Sequence, residues 1–301
     1  MYDLIIIGSG PAGLTAALYA GRFKLKTLVI GEVPGGLMAN TDVIENYPGF
    51  LRISGVELTM KIQEQVQALG IEIKMEKATK VEKLEQHFKV TTLNESFETK
   101  TLIFATGGEH RQLGILGEEE FKNKGVSFCA NCDAPLFRDK PVAVVGGSDT
   151  AARYALLASE YASKVYVFYR RDKLRAEPAL VRSIKQQENI EVIYNVNVTE
   201  LKGSDKLEEA VLDNNDNYKI AAIFIAIGQI PQSKLAKDIG VKINEYEAIV
   251  IDSLSKTNVK GVYAAGDATN TPWKQIIIGN AEGAFAAFSA YEDLKCFKDK
   301  E

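Results

Sequence analysis

The chain has 301 residues, is 46% hydrophobic and 25% charged, and carries a formal charge of -4. Such a chain folds as a globular protein long enough for two ordinary domains, and its slight acidity gives no footprint for nucleic-acid binding. No run of about 18 apolar residues argues for a membrane span, Asp3 and the early glycines break any signal-peptide pattern, and three cysteines make no disulfide framework, so a reducing cytoplasm is the expected compartment.

DLIII at 3–7 reads as a strand buried on both faces, and the turn GSGPAG follows at once. Gly8, Gly10 and Gly13 keep the G-x-G-x-x-G spacing. The first glycine allows a tight turn, the second lets backbone approach a pyrophosphate, and the third lets the next helix pack on the strand. That helix is expected from Pro11 to Gly21, with Leu14, Ala17 and Leu18 on one side, and KTLVI follows as a second strand. Glu32, just past it, is the candidate for the ribose of an adenine nucleotide. A packing turn in some other α/β protein is the competing explanation.

ISGVELTMKIQEQVQALG then reads as an amphipathic helix, with Leu58, Ile62, Val66 and Leu69 at intervals of four and three. Strand-like pieces at 71–75, 78–84, 87–93 and 96–99 suggest a small antiparallel insertion, and TLIFATGG at 101–108 another buried strand.

FCANCDAP at 128–135 places Cys129 and Cys132 two residues apart, followed by Asp133. The spacing alone fits a working dithiol, half of a metal site or a buried structural pair. A zinc site normally needs four Cys or His ligands, and only Cys296, His87 and His110 remain to complete one; no metal is expected. A redox pair explains more, because a short C-x-x-C loop lets one thiolate attack while its neighbour re-forms the bond. Asp133 could carry the accompanying proton, or cap a turn before Pro135.

The nucleotide pattern recurs 138 residues on: PVAVV at 141–145, GGSDTA at 146–151 opening a helix to Ala158, then KVYVFY at 164–169. YRRDKLR puts Arg170, Arg171 and Arg175 where a ribose acid would otherwise stand, which suits a 2′-phosphate and so NADPH over NADH. A solvated basic surface beside Asp172 and Glu177 is the alternative. Ser148 occupies the middle glycine position of this second turn. AAIFIAIGQIP echoes the earlier TLIFATGG, GVYAAGDATN supplies a strand and Asp267, and a helix is expected from Ile276 to Leu294. The expected fold is α/β, with two Rossmann-like three-layer dinucleotide-binding domains, the second inserted into the first. The outer domain would span 1–114 and 246–301 and the inner one 115–245, with LGILGEE and INEYEA as the crossings.

GSGPAG, ENYPGF at 45–50, FATGG, FCANCDAP, VVGGSDTAA, YRRDKLRA, IFIAIGQIP and VYAAGDATNTPWKQ occur in one order over nearly the whole length. Through that combination the chain resembles the low-molecular-weight thioredoxin reductase family of flavoproteins. The resemblance implies tightly bound, non-covalent FAD on the outer domain, NADPH on the inner one, and a homodimer. Gly8, Ser9, Gly10, Pro11, Ala12 and Gly13 would surround the FAD pyrophosphate, with Glu32 toward the adenosine. Gly36, Asn46, Gly107, Gly266, Asp267, Lys274, Gln275 and Ile276 would complete the flavin set, Asp267 on the ribityl chain. Gly146, Gly147, Ser148, Asp149, Thr150, Arg170, Arg171, Arg175, Ile227 and Gly228 would hold NADPH. Cys132 would be the thiol beside the flavin, Cys129 the interchange thiol and Asp133 the acid/base, acting on thioredoxin or a glutaredoxin-like protein. The inner domain would rotate about the crossings to present nicotinamide and dithiol in turn.

This chain departs from the family pattern at Ala134, where glycine is usual, and at Ser148, Arg153, Tyr169, where many members have histidine, and Lys274, where arginine is usual. Ser148 and Arg153 leave NADH or ferredoxin open as the donor. A flavin oxidoreductase of small molecules or quinones, and a non-catalytic nucleotide-binding regulatory protein, are the readings from other classes.

Overall fold

The computed structural model describes residues 1–41 and 44–298. The chain divides into two compact units, residues 1–109 with 230–301, and residues 110–229. In chain order the first unit opens with β1 (Tyr2–Ile7), α1 (Pro11–Arg22), β2 (Thr27–Ile30), α2 (Gly55–Gln67), β3 (Glu72–Lys74), β4 (Lys80–Lys83), β5 (Phe88–Thr91) and β6 (Ser96–Phe104). After β7 (Gly108–His110) come β8 (Val126–Ser127), the single turn α3 (Ala130–Asp133), β9 (Pro141–Val145), α4 (Asp149–Ser159), β10 (Lys164–Tyr169), α5 (Pro178–Gln186) and β11 (Ile190–Tyr194). A hairpin region of β12 (Val198–Gly203), β13 (Leu207–Leu212) and β14 (Asn217–Lys219) precedes β15 (Ala222–Ile225). The chain then returns through β16 (Gln229–Pro231), α6 (Lys234–Asp238), β17 (Val262–Ala264) and α7 (Ile276–Lys298).

In the first unit the sheet order is β3-β2-β1-β6-β5-β4, with β17 also on β6. The continuous apolar run of β1 is explained by burial on both faces, as in parallel sheets generally. Leu4 and Ile6 face α1 and α7, whereas Ile5 and Ile7 join a second core with Leu28, Ile30 and Phe104. β6 carries two pairing modes. Its first residues run antiparallel to β5, while its last run parallel to β1 and β17.

This corrects the expected small insertion. The pieces at 96–99 and 101–108 form one strand as far as Phe104, and the piece at 71–75 belongs to the parallel sheet beside β2. α2 starts at a capping box, in which the Ser54 hydroxyl accepts from the Glu57 amide at 3.1 Å and Glu57 accepts from the Ser54 amide at 3.1 Å. Leu58, Ile62 and Val66 are buried as expected. Leu69 lies past the helix and is exposed.

The second unit has an all-parallel sheet of order β11-β10-β9-β15-β8. Val142, Val144, Val165, Val167 and Phe224 pack with the alanines of α4 on one face. Ala143, Phe168, Ile223 and Ile225 pack with β12 and β13 on the other.

The unit boundaries fall at 109/110 and 229/230 rather than at 114/115 and 245/246. Ala236, Ile239 and Val241, on and just after α6, are buried in the core of the first unit with Val81. The apolar spacing of SKLAKDIGV ties that segment to the outer sheet, so INEYEA lies inside the first unit and LGILGEE inside the second. The crossings themselves, β7 and β16, pair as a two-stranded ribbon. Among the described residues no helix is long and apolar enough to cross a membrane.

Candidate active site

The first unit builds a cradle from β1 and α1. Gly8 has φ +115°, and a Cβ there would overlap the Ala105 carbonyl; one at Gly13 would overlap the Gly8 carbonyl. Both positions therefore require glycine for close backbone packing. Gly10 is different, since its Cβ would meet only the Gly35 oxygen, 4.0 Å away. Open space at Gly10 leaves the amides at the start of α1 approachable by a pyrophosphate, with Pro11 as the first helical residue and Ala12 buried behind it. Buried Ser9 donates to the Val33 carbonyl at 3.0 Å, and its own carbonyl accepts from the Gly35 amide at 2.8 Å. These bonds draw the VPGG loop over the turn and set Gly36 against Gly10, where a Gly36 Cβ would lie 3.5 Å from the Gly10 Cα. Glu32 follows β2 on the exposed rim, 3.7 Å from Lys77. Gly107 has φ +68° and open space where a Cβ would stand.

The AGDA turn brings the remaining flavin candidates together. Gly266 donates its amide to Glu282 at 2.7 Å, and the Thr269 hydroxyl donates to the same carboxylate at 3.2 Å. Asp267 accepts no hydrogen bond from the protein among the described residues, and burial raises its pKa against the opposing pull of Lys274. The carboxylate is half-buried, open to a donor that the protein itself does not supply. The hydroxyls of a ribityl chain are such donors. Lys274 donates to the Thr269 carbonyl at 2.6 Å, and burial lowers its pKa. Gln275 precedes α7, where its carbonyl accepts from the Gly279 amide at 3.0 Å. Its side chain accepts from Asn46 at 3.1 Å, joining ENYPGF to the start of α7 beside Ile276.

Two residues that the sequence reading missed complete this wall: Glu282, described above, and buried Asn280. With its amide oriented to satisfy both ends, Asn280 accepts from the Tyr47 hydroxyl at 2.9 Å and donates to the Pro11 carbonyl at 3.0 Å. Their signal was the four-residue spacing of Gly279 and Gly283, which lets α7 approach closely: a Cβ on Gly283 would overlap the Ala12 carbonyl.

In the second unit Cys129 and Cys132 form a disulfide with Cα atoms 5.3 Å apart. Cys129 is extended and caps α3, and its carbonyl accepts from the amides of Cys132 and Asp133, both at 3.1 Å. Asp133 accepts from the Ser127 hydroxyl at 2.5 Å, and the same hydroxyl accepts from the Cys129 amide at 3.1 Å. Ser127 is 7% exposed at the end of β8. One buried hydroxyl thus ties the acid to the backbone of the dithiol, a link hidden from sequence because serine there resembles an ordinary strand end. Phe128 stacks on His110 with ring centroids 4.8 Å apart, and burial lowers the His110 pKa with Lys122 adding to it.

The second glycine turn lies between β9 and α4. Gly146 has φ +143°, and a Cβ there would overlap the Ala226 carbonyl. A Cβ at Gly147 would overlap the ring of Tyr169, the last residue of β10. Ser148 caps α4, and its hydroxyl makes no hydrogen bond among the described residues. Asp149 accepts from the Glu177 amide at 2.8 Å, and Arg175 donates its amide to the Gly147 carbonyl at 2.7 Å, so the arginine loop is stitched to the turn. Thr150 is exposed on the first turn of α4. Arg170, Arg171 and Arg175 are exposed and form no ion pair with Asp172 or Glu177 among the described residues. Ile227 packs on the core, and Gly228, at φ +103°, accepts from the Arg111 amide at 3.0 Å.

Comparison with known proteins bears on this arrangement. The family model described as pyridine nucleotide-disulphide oxidoreductase matches residues 2–286. The thioredoxin reductase of Treponema pallidum is 38% identical over 296 residues, 96% of each chain. That of Bacillus subtilis is 37% identical over 296 residues, 96% of this chain and 93% of its own. Among solved structures, the thioredoxin reductase of Streptococcus pyogenes superposes with a TM-score of 0.92 at 37% identity, covering 98% of this chain and 99% of its own. With an apolar-backed glycine turn in each unit, a disulfide with its tethered acid, and these likenesses over nearly the full length, the chain belongs to the low-molecular-weight thioredoxin reductases of the pyridine nucleotide-disulphide oxidoreductase family.

Proposed function

We propose that the chain is a cytoplasmic, homodimeric thioredoxin reductase that carries electrons from NADPH, through FAD, to the Cys129–Cys132 disulfide and on to a thioredoxin- or glutaredoxin-like protein. The observation that carries this reading is the disulfide whose acid neighbour, Asp133, shares the Ser127 hydroxyl with the Cys129 amide. Bound FAD supplies the two-electron relay between a nicotinamide and a disulfide. Gly10, Gly36 and the start of α1 would hold its pyrophosphate, and Asp267 would accept from its ribityl hydroxyls. The open Gly10 cradle and the donor-free Asp267 carboxylate support that fit.

Once the pair is reduced, the Cys129 thiolate attacks one sulfur of the partner's disulfide. The partner's other sulfur leaves as a thiolate and takes the proton that Asp133 would have drawn from Cys129 as its thiolate formed. Cys132 then attacks the Cys129 sulfur, re-forming the intramolecular disulfide and releasing the second partner thiol. Electrons balance: two leave the dithiol and two arrive in the partner.

Anaerobic titration of the flavin-loaded protein with NADPH, NADH and reduced ferredoxin, followed by addition of thioredoxin, tests the circuit. Bleaching by NADPH ahead of NADH, then recovery of the oxidised spectrum with thioredoxin, is the expected result. Bleaching by ferredoxin alone would replace the donor while leaving the dithiol step in place. Cys129→Ser is expected to abolish thioredoxin turnover while NADPH still reduces the flavin; undiminished turnover would overturn the role of Cys129.

A further inference from the structure

The last residue of β10, Tyr169, makes two contacts that meet at the second glycine turn. Its ring lies on Gly147 so closely that no Cβ fits between them. Its hydroxyl accepts a hydrogen bond from Arg175 Nε at 3.1 Å. The same arginine is fixed from the other side, because its backbone amide donates to the Gly147 carbonyl at 2.7 Å. Tyr169 is 5% exposed, whereas Arg175 is exposed overall.

An exposed arginine ordinarily samples many rotamers, and ordering it for a ligand costs side-chain entropy. A buried phenol that accepts from Nε holds the guanidinium plane before any ligand arrives. It also occupies the one nitrogen on the inner side of the fork, leaving the two terminal nitrogens without a protein hydrogen bond among the described residues. Those terminal nitrogens are the pair that can bind a phosphate side by side.

We propose that Tyr169 is a positioning residue for coenzyme choice: through its hydroxyl it orients Arg175 toward the 2′-phosphate of NADPH, and through its ring it fixes the distance between that arginine and the glycine turn. This rests on the reading of the arginine cluster as the 2′-phosphate site. The phenol touches no part of the reacting centre, so its effect falls on discrimination between phosphorylated and unphosphorylated adenosine.

The test uses flavin-loaded wild type, Tyr169→Phe, Arg175→Lys and the double variant. The probes are adenosine 2′,5′-bisphosphate and adenosine 5′-monophosphate, which differ only in the 2′-phosphate, and binding is measured by calorimetry. Tyr169→Phe keeps the ring on Gly147 and removes the hydroxyl. It is expected to lower the bisphosphate-to-monophosphate preference roughly three- to tenfold, as loss of one hydrogen bond does. Arg175→Lys should lower the preference at least as much, and adding Tyr169→Phe to it should cost nothing more, since the hydroxyl then has no Nε to orient. A wild type with no preference for the bisphosphate would remove the 2′-phosphate site itself and this role with it. A clear wild-type preference that Tyr169→Phe leaves intact, or losses that simply add in the double variant, would overturn the role of Tyr169 alone. If Tyr169→Phe does not fold, an Arg175→Lys variant with unchanged preference overturns it equally.

Discussion

The two glycine turns of this chain answer the same geometric demand with different atoms. In the first, the space beside Gly8 and Gly13 is filled by main chain, the carbonyls of Ala105 and Gly8. In the second, Gly146 is closed by the Ala226 carbonyl, but Gly147 is closed by the Tyr169 ring. The middle positions differ as well: open at Gly10, and occupied by a serine side chain at Ser148. A turn walled by main chain can change little without moving strands. One walled partly by a side chain can be retuned by changing that side chain. The outer turn is accordingly the more fixed of the two, and the inner one the more adjustable.

The comparison breaks most sharply at its glycines. Gly13→Ala is expected to destabilise the protein by about 3 kcal/mol or more and to yield colourless material, because a carbonyl in a strand-to-helix turn cannot step aside. Gly147→Ala should cost only about 1–3 kcal/mol and keep the flavin, since a side chain rather than main chain has to shift, and the Tyr169–Arg175 hydrogen bond should be disturbed with it. Thermal melts and the visible spectrum of both variants measure the contrast; equal losses would remove it.

Next in size is the charge behind the inner turn. Replacing Arg170 and Arg171 together by alanine is expected to raise the KM for NADPH roughly ten- to hundredfold, with a much smaller change for NADH. Steady-state kinetics with both coenzymes decide this, and parallel losses would make the cluster a general surface feature.

The smallest expected effect concerns Asp267 beside the outer cradle. Burial raises its folded pKa, so in flavin-free protein the stability linked to its proton is present at low pH and is lost as pH rises through the folded value. Asp267→Asn removes that dependence. The variant apoprotein should melt about 2–4 °C above wild type at neutral and alkaline pH, with the gap closing in acid, while its flavin affinity falls. A gap that widens in acid would reverse the assignment.

Much of this was legible in advance, because the informative features were local. Strand, glycine turn and helix follow one another without interruption in both units, and the PVAVV and KVYVFY strands have the expected limits. Cys129, Cys132 and Asp133 are neighbours in sequence and in space. What escaped was non-local. Ser127 acts on Asp133 across a turn, and Asn280 reaches Tyr47 over a separation of 233 residues. The crossings were misplaced because α6 is only five residues long, too short for helical periodicity to announce that it packs on the outer sheet. β6 was divided in two at Lys100, although that lysine is an exposed residue of a strand that changes partners midway.

That change of partners sets an order of assembly. As the chain leaves the ribosome, every strand of the inserted unit is available once residue 229 has emerged. The outer sheet must wait for β17 at 262–264 to take its place along β6. The later-starting unit is therefore the first able to mature. The N-terminal segments, already synthesised, hold an unfinished edge until residues 262–264 have been made.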